Sequence, residues 1–290
     1  MSDERYVTLN NGLKMPRVGL GTVSLPIDSI ESVISSAYDA GYRMFDLAWH
    51  YYNEAEIANA MKALSLSRED IFLTNKLHFD NLYLGWKFRR FEIPKRSVKQ
   101  AFDNSCKKLK TDYFDLYLIH WPFRNYEHLW EEVIKIYETG RAKAIGVCSF
   151  EPEHLESLKK FGVKPAVNQF EINPLNTRKK LIEYCRQENI QVEAFSAFGV
   201  GRNKNVVPDL MSNQELKWIA SAHQRTVAQV ILRWLIQQNI VVIPRSKDAN
   251  RQKENIDIFD FSLSDAEMNL IDSMNMDKFL YGNPRNTLYS

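Results

Sequence analysis

Four polar side chains of the chain have types and positions that could support proton transfer. Asp46 and Tyr51 stand in one short stretch, Lys76 ends the next apolar run, and His120 ends the run after that. A tyrosine phenol has a pKa of about 10, so it needs a nearby cation to lower that pKa if it is to donate a proton near neutrality. The four residues therefore predict an enzyme with a tyrosine acid.

Each of these residues also has a structural interpretation. Asp46 and Lys76 could form a buried ion pair that fixes the order of two strands. A lone histidine such as His120 more often has a structural role, and Tyr51 beside Tyr52 could belong to the core. The catalytic interpretation depends on all four side chains meeting at one place.

The elements that must position them alternate regularly along the chain. Apolar runs that end in small or polar residues precede segments with helical periodicity, which is typical of parallel βα units. The predicted strands are Arg17–Leu20, Arg43–Leu47, Ile71–Asn75, Phe114–Ile119, Ala144–Cys148, Ala166–Gln169, Gln191–Phe195 and Ile240–Ile243. The predicted helices lie near 29–40, 54–65, 95–109, 126–139, 151–161, 177–188, 226–238 and 249–256.

Local signals support several of these elements. The spacing Asp28-x-x-Glu31 predicts a capping box for the first helix, and Thr226-x-x-Gln229 predicts another before a later helix. Before the first strand, an Asn-Gly turn lies between two extended segments, which indicates a β-hairpin. We expect this hairpin to cover the bottom of the fold.

Eight βα units in 290 residues predict a closed α/β barrel, the (β/α)8 or TIM barrel, as a single domain over residues 1–290. A doubly wound dinucleotide fold is the alternative. It normally carries Gly-x-Gly-x-x-Gly after its first strand, whereas the segments 19–24 and 199–204 both lack the third glycine.

In a barrel, the carboxyl ends of the strands converge on one face. Asp46, Lys76, His120, Gln169 and Phe195 all stand at the ends of predicted strands. The barrel therefore predicts that these residues share one site.

The composition excludes several classes of protein. Hydrophobic residues make up 44% and charged residues 26% of the chain, as in ordinary globular proteins. The net charge of +2 is dispersed, so neither a nucleic acid nor a membrane surface is an expected partner. Three cysteines without Cys-x-x-Cys spacing indicate no disulfide framework and no zinc site, and we expect a cytoplasmic protein. No other metal site is predicted, and the expected assembly is a monomer or a weak homo-oligomer, although no long apolar patch or heptad fixes it.

Seven motifs in order resemble the aldo-keto reductase superfamily, almost from end to end of the chain. They are Gly19-Leu-Gly-Thr22, the stretch 41–54 with Asp46 and Tyr51, Thr74-Asn-Lys76, the stretch 115–122 ending His120-Trp-Pro122, Ile145-Gly-Val-Cys-Ser-Phe150, Val167-Asn-Gln-Phe-Glu171, and Ile243-Pro-Arg-Ser246 with Arg251-x-x-Glu-Asn255. Each motif alone is weak, but their order is specific.

The resemblance implies a role for each polar residue. Tyr51 would be the general acid that protonates a carbonyl oxygen as hydride arrives from a reduced nicotinamide. Lys76, held by Asp46, would lower the tyrosine pKa, and His120 would orient the carbonyl.

The resemblance also implies a cofactor site. Gln169 would contact the nicotinamide amide, Phe195 would stack on the ring, and Arg251 with its neighbours would hold a 2′-phosphate, which favours NADPH over NADH. The full cofactor set is Gly21, Thr22, Asp46, Ser149, Gln169, Phe195, Ser196, Phe198, Arg245, Ser246, Arg251, Glu254 and Asn255. Cys148-Ser149 departs from the Ser-Asn that the family generally uses to hold the carboxamide.

The expected function is an NADPH-dependent reductase of aldehydes or ketones. Trp49, His120 and Trp121 are the expected substrate contacts, and a loop over 79–92 looks longer than the family's usual third βα loop. A cofactor-binding regulatory or scaffold protein with slow turnover is the alternative, because one fold can serve both functions.

Overall fold

The structure is a computed structural model that describes residues 4–78, 97–199 and 208–284. The predicted long loop over 79–92 lies outside these residues, as do positions 95 and 96 of the third predicted helix.

Eight parallel strands form one sheet whose spatial order follows the chain. An isolated parallel bridge between Val18 and Val242 joins the first strand of this sheet to the last, and Gly19 N–H donates to the Val242 carbonyl at 2.9 Å. The (β/α)8 barrel prediction is confirmed. The strands are β3 (Leu20–Gly21), β4 (Met44–Asp46), β5 (Phe72–Leu77), β6 (Phe114–Ile119), β7 (Ala142–Cys148), β8 (Val167–Glu171), β9 (Gln191–Phe195) and β10 (Val241–Val242).

The N-terminal hairpin is also confirmed. Strands β1 (Tyr6–Thr8) and β2 (Lys14–Pro16) pair antiparallel, and Gly12 has a φ of 88° in the turn between them. Val7 and Met15 are buried in the same apolar cluster as the inward side chains of the barrel strands. The hairpin thus covers the end of the barrel opposite the carboxyl ends of the strands.

Ten α-helices lie in the described part of the chain, and most of them return the chain between neighbouring strands. Two of them, at 214–222 and 265–273, fall outside the predicted alternation. The helices are α1 (Ile30–Asp39), α2 (Glu54–Ala63), α3 (Val98–Leu109), α4 (Tyr126–Glu138), α5 (Pro152–Leu158), α6 (Lys179–Gln187), α7 (Gln214–Ala222), α8 (Val227–Gln237), α9 (Ala249–Ile256) and α10 (Asp265–Ser273).

One of the two predicted capping boxes is present. Thr226 Oγ1 accepts from Gln229 N–H at 3.2 Å, and Gln229 Oε1 accepts in return from Thr226 N–H at 3.0 Å. The box at Asp28 is wrong, because residues 27–29 form a 3-10 turn and Ser29 is the N-cap of α1. The chain enters α1 through that turn, so Asp28 stands one position too early to cap it.

Two apolar layers hold the barrel together. One cluster fills the space between strands and helices, and a smaller cluster fills the barrel interior. This division follows from strand geometry, since successive side chains point alternately outward to the helices and inward to the barrel axis. Polar inward residues near the carboxyl ends therefore meet above the apolar interior.

Candidate active site

A short turn after β4 positions Tyr51. Asp46 ends the strand, residues 49–51 form a 3-10 turn, and Tyr51 N–H donates to the Ala48 carbonyl at 3.0 Å. Tyr52 then adopts a left-handed conformation with φ 55°, and Asn53 donates to the Thr22 carbonyl at 2.8 Å. The turn and the hydrogen bond from the Asn53 side chain hold Tyr51 above the end of β4.

Lys76 is the centre of the polar group. Its Nζ donates to both Asp46 oxygens at 2.6 and 2.7 Å, and to the Leu47 carbonyl at 2.8 Å. The Tyr51 hydroxyl lies 3.4 Å from the same nitrogen. Lys76 lies inside β5, because the strand continues two residues beyond its predicted end.

His120 follows β6 directly, and its ring lies edge-on to the Tyr51 ring with centroids 5.9 Å apart. Its buried Nδ1 has no hydrogen-bond partner in the described part of the structure. His78 lies between His120 and His50, with ring centroids 5.4 and 4.2 Å away respectively. The structure thus brings the four predicted residues to one place and adds two histidines beside them.

Burial dominates the protonation of this group. It raises the pKa of Tyr51 above its ordinary value even though the Lys76 charge acts in the opposite direction. It also lowers the pKa of His120 well below the ordinary range, with Lys76 adding to the effect. Burial is the largest influence on Lys76 and by itself would lower its pKa, but the Asp46 carboxylate, with smaller contributions from Tyr51 and Cys148, raises that pKa. At neutral pH the phenol is protonated, the imidazole is neutral and the ammonium is charged.

A second carboxylate lies beneath this group. The Gln169 amide nitrogen donates to Asp46 Oδ2 at 3.0 Å and to Glu193 Oε2 at 2.7 Å, so one amide joins two carboxylates. The Cys148 thiol lies 3.8 Å from the Gln169 amide oxygen. Glu193 and Gln169 are partners in the register of β8 and β9, and both are buried.

The family assignment rests on a match over most of the chain. The sequence model described as the Aldo/keto reductase family matches residues 17–276. The chain belongs to this family.

Relatives of this aldo/keto reductase span nearly its full length. It is 39% identical over 287 residues to a glyoxal reductase of Bacillus subtilis (strain 168), covering 98% of this chain and 97% of the relative. It is 38% identical to a morphine 6-dehydrogenase of Pseudomonas putida, covering 96% and 94% of the two chains. A crystal structure of an aldo-keto reductase from a deep-sea metagenome library is 36% identical, with a TM-score of 0.86 over 98% of this chain and 100% of that one.

The residues proposed for the nicotinamide end in this aldo/keto reductase line the same mouth of the barrel. Phe195 is half-buried at the end of β9 and meets the Tyr281 ring edge-on at 5.6 Å. Ser149 and Ser196 follow their strands in left-handed conformations, with φ 58° and 55°. Gly21 ends β3 and Thr22 follows it, and the Thr22 hydroxyl donates to the Asp46 carbonyl at 2.8 Å. Phe198 packs on the outer core.

The proposed phosphate-binding residues stand apart, in the segment between β10 and α9 and within α9 itself. Arg245 and Arg251 are exposed, and neither forms an ion pair within the described ranges. Ser246 is buried and exchanges hydrogen bonds with the main chain of Asp248 at 3.1 Å. Asn255 is buried and Glu254 half-buried in the second turn of α9.

The expected substrate contacts lie beside the histidines next to Tyr51. Trp49 lies parallel to the His78 ring at 6.5 Å and edge-on to Tyr52 at 5.5 Å. Trp121 is half-buried, and its buried indole N–H has no partner among the described residues. Aromatic rings therefore form one wall of the mouth.

Sequence reasoning missed Glu193 and His78. Both had a signal in strand alternation, since Glu193 stands two residues before Phe195 and His78 two residues after Lys76. Glu193 therefore shares the inward face of β9 with Phe195, and His78 continues the alternation of Lys76 one residue beyond the end of β5.

Two further features concern the helices and the metal-ligating side chains of the described residues. None of these helices is both long and apolar enough to span a bilayer. Within the same residues, no three His, Cys, Asp or Glu side chains are grouped to bind a metal ion.

Proposed function

We propose that the protein is an NADPH-dependent reductase that converts aldehydes or ketones to alcohols, with Tyr51 as the general acid. One observation carries the proposal. The Tyr51 hydroxyl lies 3.4 Å from the Lys76 ammonium, which is itself fixed by Asp46, at the carboxyl face of the barrel. The family and its reductase-named members support carbonyl reduction.

The protein's own groups supply a proton path at this face. A protonated Tyr51 donates to the developing alkoxide, and Lys76 stabilises the phenolate that is left. His120 is neutral and its ring lies edge-on to Tyr51, where an imidazole N–H can donate a hydrogen bond to the carbonyl oxygen. Asp46 keeps Lys76 charged throughout.

The residues present fit a nicotinamide cofactor, which supplies the hydride when bound. The half-buried Phe195 ring offers a stacking face, and the Gln169 amide oxygen has acceptor capacity beyond the long contact from Cys148. Arg245, Lys247 and Arg251 are exposed cations around the start of α9, which suits a 2′-phosphate.

The decisive test follows NADPH absorbance while purified protein is mixed with a panel of aldehydes and ketones, including small dicarbonyls. We expect turnover for some members of the panel. Tyr51→Phe should reduce kcat by about 10² to 10⁴ with NADPH affinity nearly unchanged, because only the acid is removed.

The neighbouring Tyr52→Phe is a matched control, since Tyr52 is 61% exposed and contacts His50 rather than Lys76. An unchanged rate in Tyr51→Phe would remove the assigned acid. Tight NADPH binding without turnover across the panel would instead favour the regulatory or scaffold function. One domain over 1–290, a cytoplasmic location and a monomer or weak homo-oligomer stay predictions.

A further inference from the structure

Glu193 is a buried carboxylate that the proton path above does not use. Its side chain is fully buried in the barrel interior, and within the described residues its Oε1 has no hydrogen-bond partner. Its other oxygen accepts from Gln169 at 2.7 Å. A buried carboxylate with one unpartnered oxygen is costly as an anion, so its protonated form is the stable one in this setting.

The position of Glu193 relates it to the proposed nicotinamide site. It stands directly beneath Phe195 on the inward face of β9, and it shares the Gln169 amide nitrogen with Asp46. Because the Gln169 amide nitrogen donates to both carboxyl groups, the orientation of the amide is fixed and its oxygen points away from Asp46 and Glu193. Gln169 can then present only an acceptor to a bound carboxamide.

The charges of the interior add a second consequence. Asp46 and Lys76 balance each other, so the interior is neutral while Glu193 holds a proton and carries one negative charge when Glu193 loses it. A nicotinamide ring is neutral when reduced and carries one positive charge when oxidised. An ionised Glu193 would therefore favour the oxidised ring over the reduced one.

We propose that Glu193 is a positioning residue that fixes the Gln169 amide and, by releasing its proton, balances the charge of the oxidised nicotinamide. This inference rests on the proposed function, since it assumes that a nicotinamide binds at this mouth. No bond other than the carboxyl O–H is broken, and the proton passes to solvent.

The other groups around Glu193 do not titrate in the same range. Burial, followed by the Asp46 charge, raises the pKa of Glu193 to about 8. Burial raises the pKa values of Cys148 on β7 and of Tyr51, and the Asp46 carboxylate raises that of Lys76 on β5. On the other neighbouring strand, β10, both residues are valines.

The test measures the dissociation constants of NADP⁺ and NADPH by titration of protein fluorescence from about pH 6.5 to about pH 9.5. Their ratio is the informative quantity, because both cofactors carry the same phosphates and phosphate ionisation cancels. We expect NADP⁺ to gain about tenfold relative to NADPH as the pH rises through 8. In Glu193→Gln, which keeps an acceptor for Gln169 but cannot ionise, the ratio should be independent of pH.

Asp115→Asn is the matched control. Burial also raises the pKa of Asp115, but this carboxylate accepts from Leu73 N–H and pairs with Arg68, away from the group around Lys76. The pH dependence should survive in this variant. Infrared spectra of the cofactor-free protein should show a carboxylic acid band that is absent from Glu193→Gln, and this readout needs no cofactor.

A pH-dependent ratio that persists in Glu193→Gln would overturn the inference, as would a flat ratio in the unmodified protein. If the protein also reduces carbonyls with NADPH, either of these two results refutes only the role of Glu193 and not the proposed function. Failure to bind either cofactor would refute the proposed function itself.

Discussion

Replacement of Asp46 by leucine should leave Lys76 as an isolated buried cation. In the structure Lys76 is 1% exposed, and Asp46 is the only anion that contacts its ammonium among the described residues, at 2.6 and 2.7 Å. Without that carboxylate, the lysine must either stay charged in an apolar interior or lose its proton.

Loss of the Lys76 proton sets an upper limit to the loss of stability. The ordinary lysine pKa is 10.5, so keeping the amine neutral at pH 7 costs roughly 3.5 pH units at about 1.4 kcal/mol per unit. Asp46→Leu should therefore lower the free energy of unfolding by about 3–5 kcal/mol at pH 7. The folded pKa of Lys76 would now lie below the unfolded one, so the unfolded state binds more protons and stability should rise with pH. From pH 7 to pH 9 the recovery should approach about 1.4 kcal/mol per unit.

Urea unfolding at several pH values measures both quantities. The double variant Asp46→Leu/Lys76→Met removes both charges and should recover most of the lost stability while remaining inactive, because no buried charge is left without a partner. A single variant as stable as the unmodified protein, or one whose stability does not change with pH, would refute the argument that this pair is charge-balanced in the interior.

Three further perturbations have expected outcomes. Arg251→Ala should weaken the binding of NADPH by about 1–3 kcal/mol and that of NADH far less, because a charge-assisted contact to the 2′-phosphate is lost. Equal losses for both cofactors in a binding titration would contradict the phosphate site, as would a similar loss in the control Lys253→Ala on the same helix. Glu171→Ala removes the carboxylate that accepts from the Leu280 N–H at 3.0 Å, so hydrogen exchange should accelerate around residue 280, and unchanged protection there would show that other contacts hold the tail. The His120 ring should stay neutral from roughly pH 6 to 8 because burial lowers its pKa, and an NMR titration with a midpoint near 6.5 would contradict this.

Sequence and structure agree where a pattern had only one geometric solution. The regular βα alternation left little choice but a barrel, and the barrel by itself places Asp46 and Lys76 on neighbouring strands. The helices at 214–222 and 265–273 were missed although Asn213 and Ser264 cap them, because they follow no strand and so lie outside that alternation.

Protonation was the least predictable property. The expected effect of Lys76 on Tyr51 has the right sign, but burial of the phenol opposes it and is larger. The depth of a side chain depends on the assembled barrel, and no local pattern around residue 51 encodes it. The Glu193 carboxylate was missed for a related reason, since an acidic residue in a strand is usually assumed to face solvent.

The join between the first and last strands of the barrel is also its thinnest part. β3 and β10 have two residues each, and a few main-chain hydrogen bonds around Val18 and Val242 complete the ring. Gly21 lies on one side of this junction between β3 and β10, the seam of the barrel, and Arg245 and Ser246 lie on the other. A nucleotide bound by residues on both sides would therefore link the two strands. Loss of such a nucleotide would then loosen the barrel first along this seam, so a bound nucleotide should slow unfolding by heat and cleavage by proteases.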